Sequence, residues 1–582
     1  QSGRVKRIIL LLNVANQVEC KSFLSDGLGV DAVLWIGSVG ITGFNAVADI
    51  IAGKVNPSGH LADTFWYEHG ENPAYYNFGD NTYENYSSFA YLPTFSGGVH
   101  AKYGKYVVYQ EGLYVGYRYT ETRYYDSVIN GGDAGFNYGA AVSYPFGYGL
   151  SYTTFTHSAF GVTDNADGTY TASVTVTNTG AVAGKDVVQI YVQKPYGELS
   201  KERKIQTPVL ELVGYAKTDE LAPYGQAGSS QTVEITVNKS DFTSYDAEVD
   251  KTYILAGGNY RIVEGADVHD AVNNLIAYEG HAGDGTGDEN KVANFEIAYD
   301  NKTYSVSNGK TVTNLFDDGN VNKYFENSEN SVEYLSRDNW AESFPAGGVK
   351  LKMTEKLAGA LMAQDNPSEL VKKDDIEYPE YGKIDGEKIR LIDLLVDENG
   401  NKRDESYYAY DAKIWDKFLD QLTWDETIEL LNTGLRSTAP LVSVLKPGTV
   451  EHNGPLGVTS AYNVNPNGLA TRKSDPDSNQ IPPYYPCVGV LAATFNEELA
   501  TLFGDMMGED AIWAGYGGLY GIGLNIHRSP YGGRLYEYYS EDPFLTGHMA
   551  AAEVKALQAH GCNAYIKHFA LNDQETNRSG LG

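Results

Sequence analysis

Ala551-Ala-Glu-Val-Lys-Ala-Leu-Gln558, then Gly561, then Asn563-Ala-Tyr-Ile566 running into Lys567-His568-Phe569, reads as a helix, its stop and a strand. Gly561 closes the helix, and the short apolar run after it suits a buried parallel strand. The same rhythm occurs upstream. A helix is expected from Glu497 to about Ala514, and Thr423-Trp-Asp-Glu426 carries a helix start, with Thr423 as N-cap and Glu426 three residues on. Repeated βα units of this kind predict a (β/α) barrel, and residues 346–582 are read as the first part of one. Such a barrel keeps its active site at the C-terminal ends of its strands, so Lys567 and His568 are placed to face a substrate.

Outward from the barrel the pattern changes. Residues 156–265 alternate strictly: Ala172, Val174 and Val176 face one way, Val188, Ile190 and Val192 sit between Gln189, Tyr191 and Gln193, and Val233, Ile235 and Val237 repeat the period. Short alternating strands at this spacing predict a β-sandwich. Residues 266–345 are acidic and rich in Asn and Gly, and are read as a connector with some strand content. Gly283, Gly285 and Gly287 among acids could suggest a calcium loop, but the spacing is not that of an EF-hand, and a solvated loop is expected. Residues 1–155 return to α/β rhythm. Ile8–Leu12 and Asp31–Gly37 are apolar strand runs, and Phe44 to Gly53 is a helix with Val47, Ile50 and Ile51 on one face. From Trp66 to about Asn137 follows a Tyr-, Gly- and Asn-rich stretch, read as functional loops or an insertion.

The length of 582 residues corresponds to about three or four domains. With 44 Lys and Arg against 76 Asp and Glu the net charge is −32, which argues against nucleic acid and anionic membrane surfaces as partners. No run of about 18 apolar residues is present to span a membrane. Cys20, Cys487 and Cys562 lie too far apart for a disulfide framework or a zinc cluster, and fit a reducing, cytoplasmic setting. Basic residues before Ile8 mimic a signal sequence, but the apolar run is short and no small-residue cleavage site follows. The Asn-x-Ser/Thr triplets at Asn85, Asn238, Asn301 and Asn577 are read as chance. Tyrosine is in excess, 46 residues against 6 Trp and 20 Phe, and suits sugar rings as well as an interface between copies of the chain.

Further basic residues gather near the strand ends. Arg578 follows Lys567 by 11 positions, and one strand earlier Leu524-Asn-Ile-His-Arg-Ser-Pro530 leads into Tyr531-Gly-Gly-Arg534-Leu-Tyr-Glu537 and Ser540-Glu-Asp-Pro543. Each basic residue alone would be an ordinary surface ion pair. Together, Arg, Lys and His on one rim supply hydrogen-bond donors without a nucleophile, which is what recognition of a polyhydroxyl substrate needs.

These motifs carry a resemblance. Gly533-Arg534-x-x-Glu537-x-x-Ser540-Glu-Asp-Pro543, Lys567-His568-Phe569 and Gln574-Glu-Thr-Asn-Arg578 resemble the barrel of the family-3 glycoside hydrolases, typified by β-glucosidases. Asn56-Pro-Ser-Gly59-x-Leu61, Glu111-Gly-Leu-Tyr-Val-Gly-Tyr-Arg118 and Tyr144-Pro-Phe-Gly-Tyr-Gly-Leu-Ser-Tyr152 resemble that family's α/β-sandwich domain. Asn178-Thr-Gly180, Gly184–Val192 and Leu212-Val-Gly-Tyr-Ala216 resemble its fibronectin-III-like domain. The barrel comes last here, as in the subgroup with inverted domain order, and Tyr334-Leu-Ser-Arg337 fits that subgroup. The resemblance implies a partial α/β sandwich over 1–155, a fibronectin-III-like sandwich over 156–265 and a partial TIM barrel over 346–582.

By the same resemblance Arg534, Lys567, His568 and Arg578 bind the hydroxyls of the −1 sugar. The family's Asp-Gly-Pro-x-Gly-x-Arg loop reads Asn453-Gly-Pro-Leu-Gly-Val-Thr459 here, so Asn453 offers an amide where relatives offer a carboxylate. The family's nucleophile, an aspartate in a Ser-Asp-Trp-like motif, and its acid/base glutamate are both expected outside residues 1–582. Ser25-Asp-Gly27 is not that motif, and Glu111 is expected to be structural, paired with Arg118. The implied activity is that of an exo-acting, retaining β-glucosidase on oligosaccharides or β-glycosides, with no cofactor or metal. The alternatives are a xylosidase or arabinosidase of the same family, or a protein that binds carbohydrate without hydrolysing it.

Overall fold

The computed structural model describes residues 5–24, 28–89, 104–131, 136–301, 312, 320–325, 330–364, 381–433, 437–458, 462–464, 470–472 and 484–578. Ser25–Gly27 and Thr459 lie outside the described residues. In the first module β1 (Ile9–Leu12) and β2 (Ala32–Trp35) pair in parallel, with Ile9 opposite Ala32 and Leu12 opposite Trp35. Helix α1 (Phe44–Ile51) follows as expected, but only part of its apolar face is covered: Val47 is buried and Ile51 is exposed.

The Tyr-rich stretch is not all loop. It holds β3 (Phe65–Trp66) and a 13-residue helix, α2 (Tyr117–Ile129), before β4 (Val142–Tyr144), which pairs with β3. The sequence of α2, Tyr-Arg-Tyr-Thr-Glu-Thr-Arg-Tyr-Tyr-Asp, has no apolar stripe, yet Tyr117 and every residue from Tyr119 to Asp126 are buried. A polar helix in that position survives only if its side chains find partners. They do. Tyr124 donates to Asp284 at 2.7 Å, Glu121 accepts from Tyr138 at 2.6 Å, and Asp126 receives Arg337 and the indole of Trp340.

The middle module is a sandwich of two antiparallel sheets. One contains β5 (Phe155–Asp164), β6 (Thr169–Asn178) and β9 (Ser230–Asn238), in the order β9-β6-β5. The other contains β7 (Val187–Gln193), β8 (Glu211–Lys217), β10 (Gly258–Gly265) and β11 (Val292–Ile297), in the order β8-β7-β10-β11. The alternation expected for β7 is present, but both of its faces are buried. Val188, Ile190 and Val192 enter the sandwich core, while Tyr191 faces the cluster shared with α2 and α3 (Val268–Tyr278).

The span read as a connector therefore supplies a buried helix and a fourth sheet strand. In its glycine-rich loop Asp284 is held by Tyr124 and by His269 at 2.9 Å. Among the described residues no group of His, Cys, Asp and Glu could hold a metal ion, and no helix is long and apolar enough to cross a membrane.

In the last module α4 (Trp424–Asn432) opens with the expected reciprocal cap between Thr423 and Glu426. Strands β12 (Thr449–Asn453), β13 (Gly518–Gly523) and β14 (Asn563–Lys567) then lie side by side in parallel. Helix α5 (Glu497–Ala514) joins the first pair and α6 (Pro543–Ala559) the second. Helix α6 starts at Pro543, well before the apolar run that announced it, because Asp542 caps it by accepting from the Leu545 amide at 2.7 Å. The two helices touch at Gly504, where any Cβ would stand 2.3 Å from the Glu553 carbonyl.

A buried ion cluster ties β5 to β7 and β10. His157 lies 2.6 Å from Glu264 and 2.9 Å from Asp186. Burial alone would depress this imidazole, but the two carboxylates outweigh it and raise its pKa to about 9. A raised value means stability that is full below the unfolded pKa of about 6.5 and is lost as pH rises through about 9. The melting temperature should therefore fall between pH 7 and pH 9.5. His157→Gln should lower Tm at pH 7, at a cost of about 3 kcal/mol, and flatten that alkaline slope in calorimetry.

Candidate functional site

Three of the five residues named from the sequence converge at the ends of β13 and β14. Lys567 closes β14, opposite Gly523 of β13, and its Nζ lies 3.0 Å from Glu537 Oε2. Arg534, on the loop after β13, makes a two-pronged contact with the same carboxylate, Nε to Oε1 at 2.8 Å and Nη2 to Oε2 at 2.7 Å. Its remaining Nη1 lies 3.3 Å from His568 Nε2. The other imidazole nitrogen, Nδ1, stands 2.9 Å from the Tyr538 hydroxyl, which also accepts from Asn572 Nδ2 at 2.7 Å.

The electrostatics follow from this geometry. Burial, then the charges of Arg534 and Lys567, push the His568 imidazole down to about 4, so it is neutral at pH 7. Burial also pulls the Lys567 ammonium below its ordinary value, against the pull of Glu537. Glu537 is buried, which alone would raise it, but Arg534 and Lys567 together hold it below the usual carboxylate range. Lysine has three N–H donors and Glu537 takes one direction, so the ammonium keeps donors for a bound hydroxyl.

Arg578 is placed more loosely. It is exposed and reaches Glu575 at 3.2 Å, and Glu575 stands 3.9 Å from Arg534. Asn453 ends β12, level with Tyr520 of β13 and hence with Tyr565 of β14, two positions short of Lys567. Sequence reasoning named no role for Glu537, although it anchors both cations; its signal was the Arg534-x-x-Glu537 spacing. Tyr538, Asn572 and Glu575 complete the rim and were legible only as members of the quoted motifs.

The expected partner of Glu111 needs correction. Glu111 does not meet Arg118. Its carboxylate receives Nε and Nη2 of Arg528, the latter at 3.1 Å, and both side chains are buried. Arg118 instead pairs with Glu211 at 3.0 Å. With both oxygens engaged, Glu111 is a structural ion pair that fastens the first module to the loop after β13. Beside it Tyr109 donates to Asp573 at 2.6 Å, and Asn525 donates to the other oxygen at 2.7 Å.

A second fastening lies at Ser540-Glu541-Asp542. Glu541 accepts from the Thr64 amide and hydroxyl at 2.9 and 2.7 Å and from the Tyr117 amide at 2.9 Å. Its own amide donates to Asp63, which also holds His527 at 2.8 Å. Burial and the nearby Asp63 raise the Glu541 carboxyl above its ordinary value. Tyr117 in turn donates to Asp542 at 2.8 Å and accepts from the Leu212 amide of β8 at 3.0 Å.

An α/β module, a sandwich of two antiparallel sheets and a parallel βα unit define a multidomain α/β-plus-β architecture. The chain matches the glycosyl hydrolase family 3 C-terminal domain over residues 2–117, the fibronectin type III-like domain over 186–268 and the glycosyl hydrolase family 3 N-terminal domain over 480–582. It belongs to glycosyl hydrolase family 3, with the domain order inverted.

It is 32% identical over 598 positions to β-glucosidase A of Butyrivibrio fibrisolvens, covering 98% of this chain and 60% of that protein. It is 29% identical over 588 positions to a β-glucosidase of Ruminococcus albus, covering 98% and 49%. The chain thus spans about half to three fifths of these relatives. A β-glucosidase from Paenibacillus barengoltzii shares the fold, with TM-score 0.62 and 24% identity over 98% of this chain and 52% of that one.

Gly116 tests the second fastening. Its φ is +55°, and a Cβ would stand 2.1 Å from the Glu541 carboxyl carbon. Gly116→Ala should cost at least about 2 kcal/mol in urea unfolding, from the left-handed backbone and the collision together.

Proposed function

We propose that the protein is an exo-acting, retaining β-glucosidase that removes terminal non-reducing β-D-glucosyl residues from oligosaccharides or glycosides. The observation that carries this reading is the neutral His568 between two cations, Arg534 and Lys567, both anchored on Glu537 at adjacent strand ends. Such a set donates to hydroxyls and supplies no nucleophile of its own. The similarity to β-glucosidases of Butyrivibrio and Ruminococcus supports the substrate class.

In the proposed reaction a carboxylate displaces the aglycone from the anomeric carbon while a general acid protonates the departing oxygen, and water, deprotonated by the same group, then releases the sugar and frees the carboxylate. Arg534, Lys567, His568 and Arg578 perform the recognition half: they hold the sugar hydroxyls and tighten on them as the ring distorts. Both nitrogens of His568 already face protein partners, so a hydroxyl reaches it by displacing the longer contact, that from Arg534. Asn453 lies farther down its strand, and its amide in place of a carboxylate favours a second reading, a pentose such as xylose or arabinose in the same site.

Kinetics of the full-length protein on nitrophenyl glycosides separate these readings. The expected result is turnover of the β-glucoside above the xyloside and arabinoside. Strong xyloside turnover with little on the glucoside would replace the first reading by the second. Turnover of no glycoside, with glucose still bound, would favour a carbohydrate-binding protein. Lys567→Ala should lower kcat/KM by at least about tenfold, about 1.4 kcal/mol of transition-state binding, and unchanged kinetics would remove Lys567 from the site.

A further inference from the structure

Tyr538 is completely buried, yet its hydroxyl reaches the rim. Its ring lies against Gly523, the β13 residue opposite Lys567, where any Cβ would stand 3.0 Å from Tyr538 Cδ1. Its carbonyl accepts from His527 Nε2 at 3.0 Å, and its amide donates to the Leu535 carbonyl at 3.0 Å. The ring meets that of His568 at 88°, with the hydroxyl 2.9 Å from Nδ1 at the imidazole edge. Burial pushes the phenol above its ordinary value, so it keeps its proton at neutral pH.

The donors around this hydroxyl can be counted. It has one proton to donate and can accept twice. Asn572 takes one acceptor place. Its side-chain nitrogen lies 2.7 Å from the hydroxyl and 3.4 Å from Glu575 Oε1, and a carboxylate that only accepts orients the amide with its NH2 on this side. Among the described residues the hydroxyl has one other polar partner, His568 Nδ1. Were the imidazole proton on Nδ1, the buried O–H would be left with nothing to accept it, the costly arrangement. With the O–H donating to Nδ1, the one proton of the neutral imidazole sits on Nε2. Arg534 Nη1 can only donate, so its 3.3 Å approach to Nε2 sets two donors side by side without a hydrogen bond. Both side chains are partly exposed.

We propose that Tyr538 is a positioning residue: its O–H donates to His568 Nδ1 and keeps the imidazole proton on Nε2, so that Nε2–H and Arg534 Nη1–H converge on one acceptor oxygen of the substrate. The inference rests on the glycosidase reading above and names what the site asks of the bound atom. A hydroxyl oxygen has two lone pairs and meets both donors. With the proton on Nδ1, the same oxygen would find one donor and one acceptor. Tyr538, which touches no substrate, therefore sets the polarity of the group that does.

The test is nitrogen NMR of the full-length protein with isotope-labelled histidine rings, the His568 signals being assigned by their loss in His568→Gln, joined to calorimetric titration with glucose. The wild type at pH 7 should show Nδ1 unprotonated and Nε2 protonated. Tyr538→Phe keeps the ring and removes the O–H. It should move the proton toward Nδ1 and weaken glucose binding about tenfold. A wild-type proton on Nδ1 overturns the inference whatever the variant does. A Tyr538→Phe protein with the wild-type tautomer, or with wild-type glucose affinity, overturns it as well, since the tyrosine is then packing alone. A wild type that neither binds glucose nor turns over any glycoside overturns the glycosidase reading and the substrate oxygen with it. The wrong tautomer in a protein that binds glucose overturns this inference and leaves that reading standing.

Discussion

The carboxylate of Glu541, buried at the N-terminus of α2, is the contact on which the assembly turns. Taking a carboxylate out of water costs several kcal/mol, and it is tolerated only where donors replace the lost water. Three are supplied here, two by Thr64 and one by the first amide of α2, where the helix dipole favours negative charge. Because Tyr117 at that helix start also bonds Asp542 and β8, Glu541 and Tyr117 between them link the first module, the sandwich and the start of α6. The ion pair of Glu111 and Arg528 repeats the device nearer the rim. Between them, the loops that carry Arg534 and Arg578 lie against the loops of the first module in one register.

The same logic explains the composition. Acidic residues outnumber basic ones, 76 to 44, and several buried carboxylates are met by neutral donors rather than by cations. Tyrosine supplies the missing donors without adding charge. Tyr109, Tyr117, Tyr124, Tyr125 and Tyr138 each donate to an aspartate or glutamate. The tyrosine excess that suggested sugar rings or an interface is thus, around α2, the internal wiring of an acidic protein.

What the sequence made legible was what depends on neighbours along the chain. The alternation in Val174–Val176 and Val188–Val192, the cap at Thr423 and the strand leading to Lys567 are all local signals, and each element is present. Helix α2 was illegible because its burial is decided by segments elsewhere in the chain: Asp284, Arg337 and Glu541 make a polar helix affordable. The partner of Glu111 was misplaced for the same reason, since Arg528 is 417 residues away while Arg118 is close by in sequence. At the site, Arg534, Lys567 and His568 were readable from motifs and do meet. Glu537, which gives them their geometry, carried only a spacing that looks like any surface ion pair.

The dependence of the rim of Arg534, Lys567 and His568 on the buried joint is open to one direct measurement. Glucose affinity of the full-length protein should be determined by calorimetry for the wild type, for Arg528→Met and for Arg528→Met with Glu111→Leu. Arg528 belongs to no sugar contact assigned above, so any loss of affinity must pass through the joint. The expected result is at least about tenfold weaker binding for the single variant, which strands a buried charge, and recovery to within about threefold of wild type when Glu111 is also replaced. A folded Arg528→Met protein that binds glucose as the wild type does would contradict the dependence.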